Sequence, residues 1–459
     1  MQVTDTGGTH VRRGDDAYGA VLASMVWNGL KPSRFPEVIV RAASARDVSE
    51  AVALARSRGL RVAVRSGGHS WCGSSVRSDS MLIDLSGLRR GDIDAASETA
   101  TVQPAVTGSR LAPELAAHGL AFPTGHCGSV AVGGYLLSGG LGWNSGALGP
   151  ACRSVYGLEA VTADGEVVRC DREENPELLW AARGAGPGFF VVVTRFLLHL
   201  HRVPGAIVST THAFPLAHVE EVANWVTETA SRLRPTVEVT LELATAAPHM
   251  TGARPRPKVV VVIATAFADS AEQAVRSLRP LRNCPVAERA LFDAVDEPVS
   301  LAALYAASDD VWPAHHRYAA DTLWSQADLG TLLSRLGDAV ESAPSDKSLV
   351  LAPVSPASHD EELLRDMAFS VLGPSYVVPY AIWDDPAQDE VNTRWLREAM
   401  GAVEPLGTGH YIAEADLTAD PSRAERSFTE RDWQRLQRLR ARHDPQDVFH
   451  SYLTPEGSC

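Results

Sequence analysis

The sequence predicts an α+β protein built from two domains. Three observations carry that expectation. Residues 38 to 85 alternate short apolar runs with one amphipathic stretch, in the order strand, helix, strand, loop, strand. Residues from about 201 to 400 change character and offer a second set of strands and helices. The tail holds a further helix, from about Glu430 to Arg442, closed by Asp444 and Pro445.

The elements follow in order. Phe35-Pro36-Glu37 leads into the short strand Val38-Ile39-Val40. Asp47 is placed to cap a helix whose apolar positions include Val48, Val52 and Ala55, and Gly59 ends it. Leu60 to Arg65 is the next strand, Ser66-Gly67-Gly68-His69-Ser70 a tight loop, and Met81 to Leu85 another strand. In the second region, Val219 to Leu233 predicts a helix, and Val237 to Leu243 and Val259 to Ala266 predict strands. Ser270 opens another helix, and Leu349 to Ala352 and Tyr376 to Trp383 are later strands of a sheet flanked by helices. Thr429 and Asp432 resemble a capping box with the acid varied.

Composition narrows the function classes. Among 459 residues, 42 basic side chains face 56 acidic ones, a net charge of -14. No long Lys/Arg run supplies the basic stripe of a general nucleic-acid binder, so no nucleic-acid partner is expected. No stretch of 18 apolar residues predicts a transmembrane segment. Met1 to Arg13 lack an apolar signal-peptide core, which makes a cytoplasmic protein the default and leaves a processed secreted form open. The oligomeric state is not specified. The six cysteines, Cys72, Cys127, Cys152, Cys170, Cys284 and Cys459, show no CxxC spacing. His69, Cys72, His126 and Cys127 do not establish a ligand set, and no metal is expected.

Two glycine groups stand out. One spans Ala121 to Gly149 and includes Gly125, Gly128, Gly133, Gly134, Gly139, Gly140 and Gly142. The other is Gly184-Ala185-Gly186-Pro187-Gly188. Glycine admits positive φ and close backbone approach to a ligand, and its density here is costly without such a need. Neither group satisfies the dinucleotide fingerprint: counted from Gly184, Phe189 fills the third glycine position, and a β run follows instead of a helix. Taken singly, His69 is equally consistent with a loop hydrogen-bonder and Cys127 with a small buried filler.

Arg65-Ser66-Gly67-Gly68-His69-Ser70, Gly125-His126-Cys127-Gly128-Ser129-Val130-Ala131-Val132-Gly133-Gly134, Gly139-Gly140-Leu141-Gly142 and Asn175 to Gly184 occur in that order. Together with Tyr411, Trp433 and Arg442 to Phe449, they resemble the berberine-bridge-enzyme-like FAD-linked oxidases of the vanillyl-alcohol-oxidase superfamily. The resemblance implies a two-domain FAD-linked oxidase fold: a mixed α/β FAD-binding domain and a substrate domain containing an antiparallel sheet. It implies boundaries at 1–200 and 201–400, with 401–459 completing the FAD-binding domain.

The resemblance further implies FAD bound by these loops. His69 takes the family position bonded to the flavin 8α carbon, and Cys127 the position bonded to C6 in bicovalent members. Arg65, Ser66, Gly67, Gly68, Ser70, Gly125, Gly128, Ser129, Val130, Gly133, Gly134, Gly139, Gly140 and Gly142 complete the implied cofactor set. Cys72 is a local competitor, at a position where the family does not place its thiolate. After Gly184, this chain has Ala185-Gly186-Pro187-Gly188-Phe189-Phe190 where the family has a glycine run with Asn.

Oxidising an alcohol or amine requires hydride transfer to the flavin and loss of a proton to a base. The family's Tyr-x-Asn-Tyr-x-Asp segment corresponds to Tyr411-Ile412-Ala413-Glu414-Ala415-Asp416. Glu414 stands in place of the second tyrosine and is a candidate carboxylate base, with a solvated surface residue as the competing reading. Tyr411 is the alternative phenolate or an orienting group, and Tyr376 joins the catalytic set from the second region. His315, His316, Tyr318, Trp324, Tyr380 and Trp383 are further pocket candidates. The expected function is oxidation of an alcohol, amine or specialised metabolite, with molecular oxygen as acceptor and hydrogen peroxide as product. The rivals are a dehydrogenase using another acceptor and a flavin- or metabolite-binding protein without turnover.

Overall fold

Ser44 opens the helix Ala45–Ser57 with extended backbone, and its hydroxyl accepts the Asp47 amide at 3.2 Å. Asp47, expected as the cap, lies inside the first turn and accepts the Ala43 amide at 2.8 Å. A cap must have non-helical φ and ψ, and only Ser44 has them. The computed structural model describes residues 9–354, 364–371 and 373–454. Cys459 lies outside the described residues, as do residues 1–8 of the polar leading segment.

The helix buries Val48, Val52 and Ala55 against Val38, Val40, Met81 and Ile83. It supplies the crossover that parallel strands need. Val38–Arg41 and Arg61–Arg65 accordingly flank Ser80–Asp84 in parallel, and Thr9–Arg12 adds an antiparallel edge. A second, five-stranded antiparallel sheet runs Gly91–Asp94, Thr99–Val102, Val192–His199, Val155–Val161, Val167–Cys170.

The chain returns to this half at its end. Val62 donates to the Val448 carbonyl at 2.7 Å, and His450 donates back to Val62 at 2.8 Å. The helix Glu430–His443 places Arg435 over the Trp180 ring at 3.8 Å, and Leu436 and Tyr452 join the core around Phe190. Thr429 caps this helix by accepting the Asp432 amide, while the Asp432 carboxylate accepts from the Thr429 hydroxyl at 2.7 Å.

The middle of the chain forms a nine-stranded antiparallel sheet. Its order is Phe292–Val299, Ala206–Pro215, Lys258–Ala268, Val237–Thr245, Leu349–Val354, Ser375–Trp383, Leu323–Ser325, Gly407–Gly409, with Arg317–Ala320 also paired to Ser375–Trp383. The helices Val219–Ala230, Ala271–Leu278, Leu329–Glu341 and Asp389–Val403 share the core of one face of this sheet. Val237–Thr245 shows how the faces divide. Val239, Leu241 and Leu243 join that helix-side core, while Glu238, Thr240 and Glu242 alternate to the other face. The fold is thus α+β in two domains, a mixed α/β part and an antiparallel-sheet part. Among the described residues, no helix is long and apolar enough to cross a membrane.

Candidate active site

One cavity of about 860 Å³ joins the Ser66–Ser70 loop, the Cys127 loop and the open face of the nine-stranded sheet. Arg65 fixes the first loop. Its guanidinium meets the fully buried Asp84 carboxylate at 3.1 Å and donates to the Gly67 carbonyl at 3.1 Å. Gly68 has φ +72°, and a Cβ there would strike the Met25 carbonyl, so only glycine fits. The His69 ring stacks on Trp27 with centroids 4.7 Å apart. Burial, aided by the Arg65 charge, lowers its pKa to about 4 against a weaker hydrogen bond to the Ser129 backbone. His69 is therefore a neutral imidazole at pH 7.

The second loop lies directly on the first. The Gly134 amide donates to the Ser66 hydroxyl at 3.2 Å. A Cβ at Gly67 would come within 2.7 Å of Ala131 Cβ, and one at Gly133 within 2.8 Å of Ser66 Oγ. Cys127 lines the same cavity as His69. Burial, then the charges of Asp309 and Glu414, push its thiol up to about 12. Cys72 also lines the cavity, with Ser70 Oγ at 3.6 Å from its sulfur, and burial raises its pKa too.

Arg65, Ser66, Gly67, Gly68, His69, Ser70, Gly125, Cys127, Val130, Gly133 and Gly134 stand in the cavity wall. Gly128, Ser129, Gly139, Gly140 and Gly142 do not. Gly128 instead accepts the Ser109 amide at 2.8 Å, and Ser129 meets His69 through its backbone. Gly139 has φ +106° and leaves room for the Phe369 ring, while a Cβ at Gly140 would lie 2.9 Å from Tyr135. These glycines shape the support behind the wall.

Glu414 follows a turn in which its amide donates to the Tyr411 carbonyl at 3.0 Å. Its two oxygens accept from Tyr376 and Tyr380, each at 2.7 Å. Tyr376 and Tyr380 lie four residues apart on one strand and so share a face. Burial, then the Glu414 charge, raises both phenols well above their ordinary pKa, which keeps them protonated donors. Tyr411 does something different: its oxygen accepts the Gly140 and Leu141 amides at 3.1 and 3.4 Å. Asp416 caps a neighbouring turn by accepting the Thr418 amide at 3.0 Å.

Of the remaining pocket candidates, only Tyr380 joins Tyr376 in the wall. Tyr318 donates to Pro313, Trp383 donates to Asp389 at 2.8 Å, His316 pairs with Asp384 at 2.7 Å, and Trp324 is fully buried against Tyr376. Sequence reasoning missed the tie between His126 and Glu238, whose nitrogen and oxygen lie 2.6 Å apart. It also missed Glu242 in the wall. The alternation along Val237–Thr245 was the available signal.

Residues 36–171 match a family model for an FAD binding domain. In solved structures, the fold is that of 6-hydroxy-D-nicotine oxidase from Arthrobacter nicotinovorans, at TM-score 0.83 and 23% identity over 98% of this chain and 99% of that one. It is also that of berberine bridge enzyme from Eschscholzia californica, at TM-score 0.80 and 20% identity over 97% and 96% of the two chains. An FAD-linked oxidoreductase from Penicillium ochrochloron is 32% identical over 394 residues, 85% of each chain. The chain belongs to the berberine-bridge-enzyme-like FAD-linked oxidases of the vanillyl-alcohol-oxidase superfamily.

Membership makes it an FAD-dependent oxidoreductase acting on a small molecule. The residues of this FAD-linked oxidoreductase fit the cofactor. The two loops touch where side chains are smallest, and Ser66, Gly67, Gly133 and Gly134 stand in the same cavity wall as His69 and Cys127, which leaves room for close backbone approach. A neutral His69 carries one unprotonated ring nitrogen.

Proposed function

We propose that this enzyme oxidises an alcohol, amine or specialised metabolite, with molecular oxygen as acceptor, Glu414 as base, and FAD attached through His69 and Cys127. One observation carries the reading: a carboxylate held by two protonated phenols lines the same cavity as both candidate attachment residues. FAD, when bound, supplies the two-electron chemistry, accepting hydride from substrate and delivering electrons to oxygen. Residues 1–200 and 401–459 form the cofactor side of this proposal, and 201–400 the substrate side.

The side chains do the rest. Tyr376 and Tyr380 fix the plane of the Glu414 carboxylate, so that its proton-accepting lone pairs keep one direction. Neither phenol competes for the proton, because both are already protonated. Tyr411 anchors the Gly140 turn behind the cavity and positions the segment that carries Glu414. Trp71 and Trp312 meet Tyr380 edge-on at 5.5 and 5.7 Å and supply an apolar wall for substrate.

The test is anaerobic addition of candidate metabolites to the purified holoenzyme. A substrate bleaches the oxidised flavin without added NAD or metal. Air then restores the spectrum with about one equivalent of hydrogen peroxide per two-electron turnover. Dependence on a nicotinamide cofactor defeats the proposal. Slow reoxidation in air with fast reoxidation by another acceptor replaces the oxidase by a dehydrogenase.

A further inference from the structure

Glu242 lies in the cavity wall on the same strand face as Glu238 and Thr240. Glu238 is satisfied, by His126 at 2.6 Å and by the Asn144 amide at 3.0 Å. Among the described residues, Glu242 has neither a hydrogen bond nor an ion pair. The sheet register sets it in a row with Val261 on one side and Leu351, then Val378, on the other. A carboxylate is thus embedded in an aliphatic row, two strands from the residue between Tyr376 and Tyr380. At ordinary strand spacing, that separation is about 10 Å. Burial alone raises its pKa to about 7, with no cation contributing.

A carboxylate set in an aliphatic row is costly unless something pairs with it. No side chain of the described residues does so. The cavity also carries the aromatic group of Trp71, Tyr380 and Trp312, whose ring faces favour cations. The charged and titratable groups of the same wall include His126 and Glu238, already paired, Glu414, bound by its tyrosines, and Arg65, paired to Asp84. Arg234, also in the wall, is exposed and lies eight positions away on the chain.

We infer that Glu242 is a substrate-recognition residue, and that the substrate of this oxidase carries a cationic nitrogen on an apolar frame. The inference rests on the reading of this cavity as the substrate site and names the class of molecule it takes. Glu242 binds the cation at one end of the cavity, while Glu414 serves the bond that is oxidised. The ammonium completes the carboxylate's hydrogen bonding, and the aliphatic row and aromatic wall cover the frame. A neutral molecule of the same shape leaves the carboxylate unpaired.

The test uses the purified holoenzyme and two probes of one shape, 2-phenylethylammonium and 2-phenylethanol, with binding followed by flavin absorbance and calorimetry. The expected result is a preference for the ammonium of roughly tenfold or more. Glu242→Gln abolishes that preference, changes 2-phenylethanol affinity little, and keeps its covalent FAD. Glu242→Asp retains part of the preference. Glu414→Gln separates the two readings: it loses flavin reduction but keeps the ammonium preference. Equal affinities in the wild type, absence of saturable ammonium binding, or a preference that survives Glu242→Gln overturns the inference. A preference lost in Glu414→Gln but kept in Glu242→Gln assigns the cation to the wrong carboxylate and overturns it equally.

Discussion

The Tyr411 hydroxyl accepts the Gly140 amide at 3.1 Å, joining the C-terminal segment to the glycine run more than 270 positions earlier. The same oxygen takes the Leu141 amide at 3.4 Å. Burial, then the Glu414 charge, raise its pKa against the lowering by these two amides, so the phenol stays protonated and is a poor base. Tyr411→Phe therefore leaves two backbone donors without their acceptor and destabilises the protein by about 1–3 kcal/mol. Thermal melts measure that loss. Anaerobic flavin reduction by the same variant slows by less than about tenfold, and a collapse comparable to loss of Glu414 reassigns the base to Tyr411.

Glu414→Gln keeps the size of the side chain but removes its capacity to take a proton. Stopped-flow reduction of the flavin slows by roughly 100-fold or more, with FAD loading preserved. Tyr376→Phe and Tyr380→Phe each remove one donor to the carboxylate and slow the same step by about tenfold. A reductive half-reaction that keeps its rate and pH profile in Glu414→Gln rules this residue out as the base.

Attachment is read by mass. The purified protein is expected to be yellow and to keep FAD through denaturation, with peptide mass spectrometry placing linkages at His69 and Cys127. His69→Ala impairs loading more than Cys127→Ala, because the neutral imidazole is ready to bond while the thiol, pushed up to about 12, must first lose its proton. Unmodified His69 and Cys127 peptides from a fully loaded preparation exclude the covalent assignment, and modification at Cys72 moves the second tether there.

Glu242 couples binding to stability. Its pKa rises from 4.5 to about 7 on folding. Below the unfolded value both states are protonated and the group costs nothing. Above about 7 the folded state holds an ionised carboxylate that burial disfavours, and the penalty is fully present. Glu242→Gln is therefore neutral to stability near pH 4 and stabilising by about 1–3 kcal/mol at pH 8. Paired melts of the ligand-free holoenzyme at the two pH values give the difference. A shift that is the same at both disproves the titration.

The sequence alone determined the local chemistry of this protein. Gly67, Gly68, Gly133 and Gly134 announce tight turns and close backbone approach within a few residues of His69 and Cys127. Those demands are local, so spacing and residue type reveal them. Hydrophobic periodicity likewise marks the helix Ala45–Ser57 and the strand Val237–Thr245, because burial of one face repeats along the chain. Even there the cap went to Ser44 and not Asp47, since backbone dihedrals choose between two residues of equal capping chemistry.

Only the tertiary structure decided which side chains share a site. Glu414 meets Tyr376 and Tyr380 across 38 and 34 positions, and His126 meets Glu238 across 112. In the second half of the glycine run, Leu141 lines the cavity while Gly139, Gly140 and Gly142 pack against Phe369 and Tyr135. Glu242 faces the cavity because Val237–Thr245 pairs with Lys258–Ala268 and Leu349–Val354 in one register; a shift of one residue would turn it to the helix side. Register is set by the burial of whole sheet faces against four helices, and no window of the sequence contains that information.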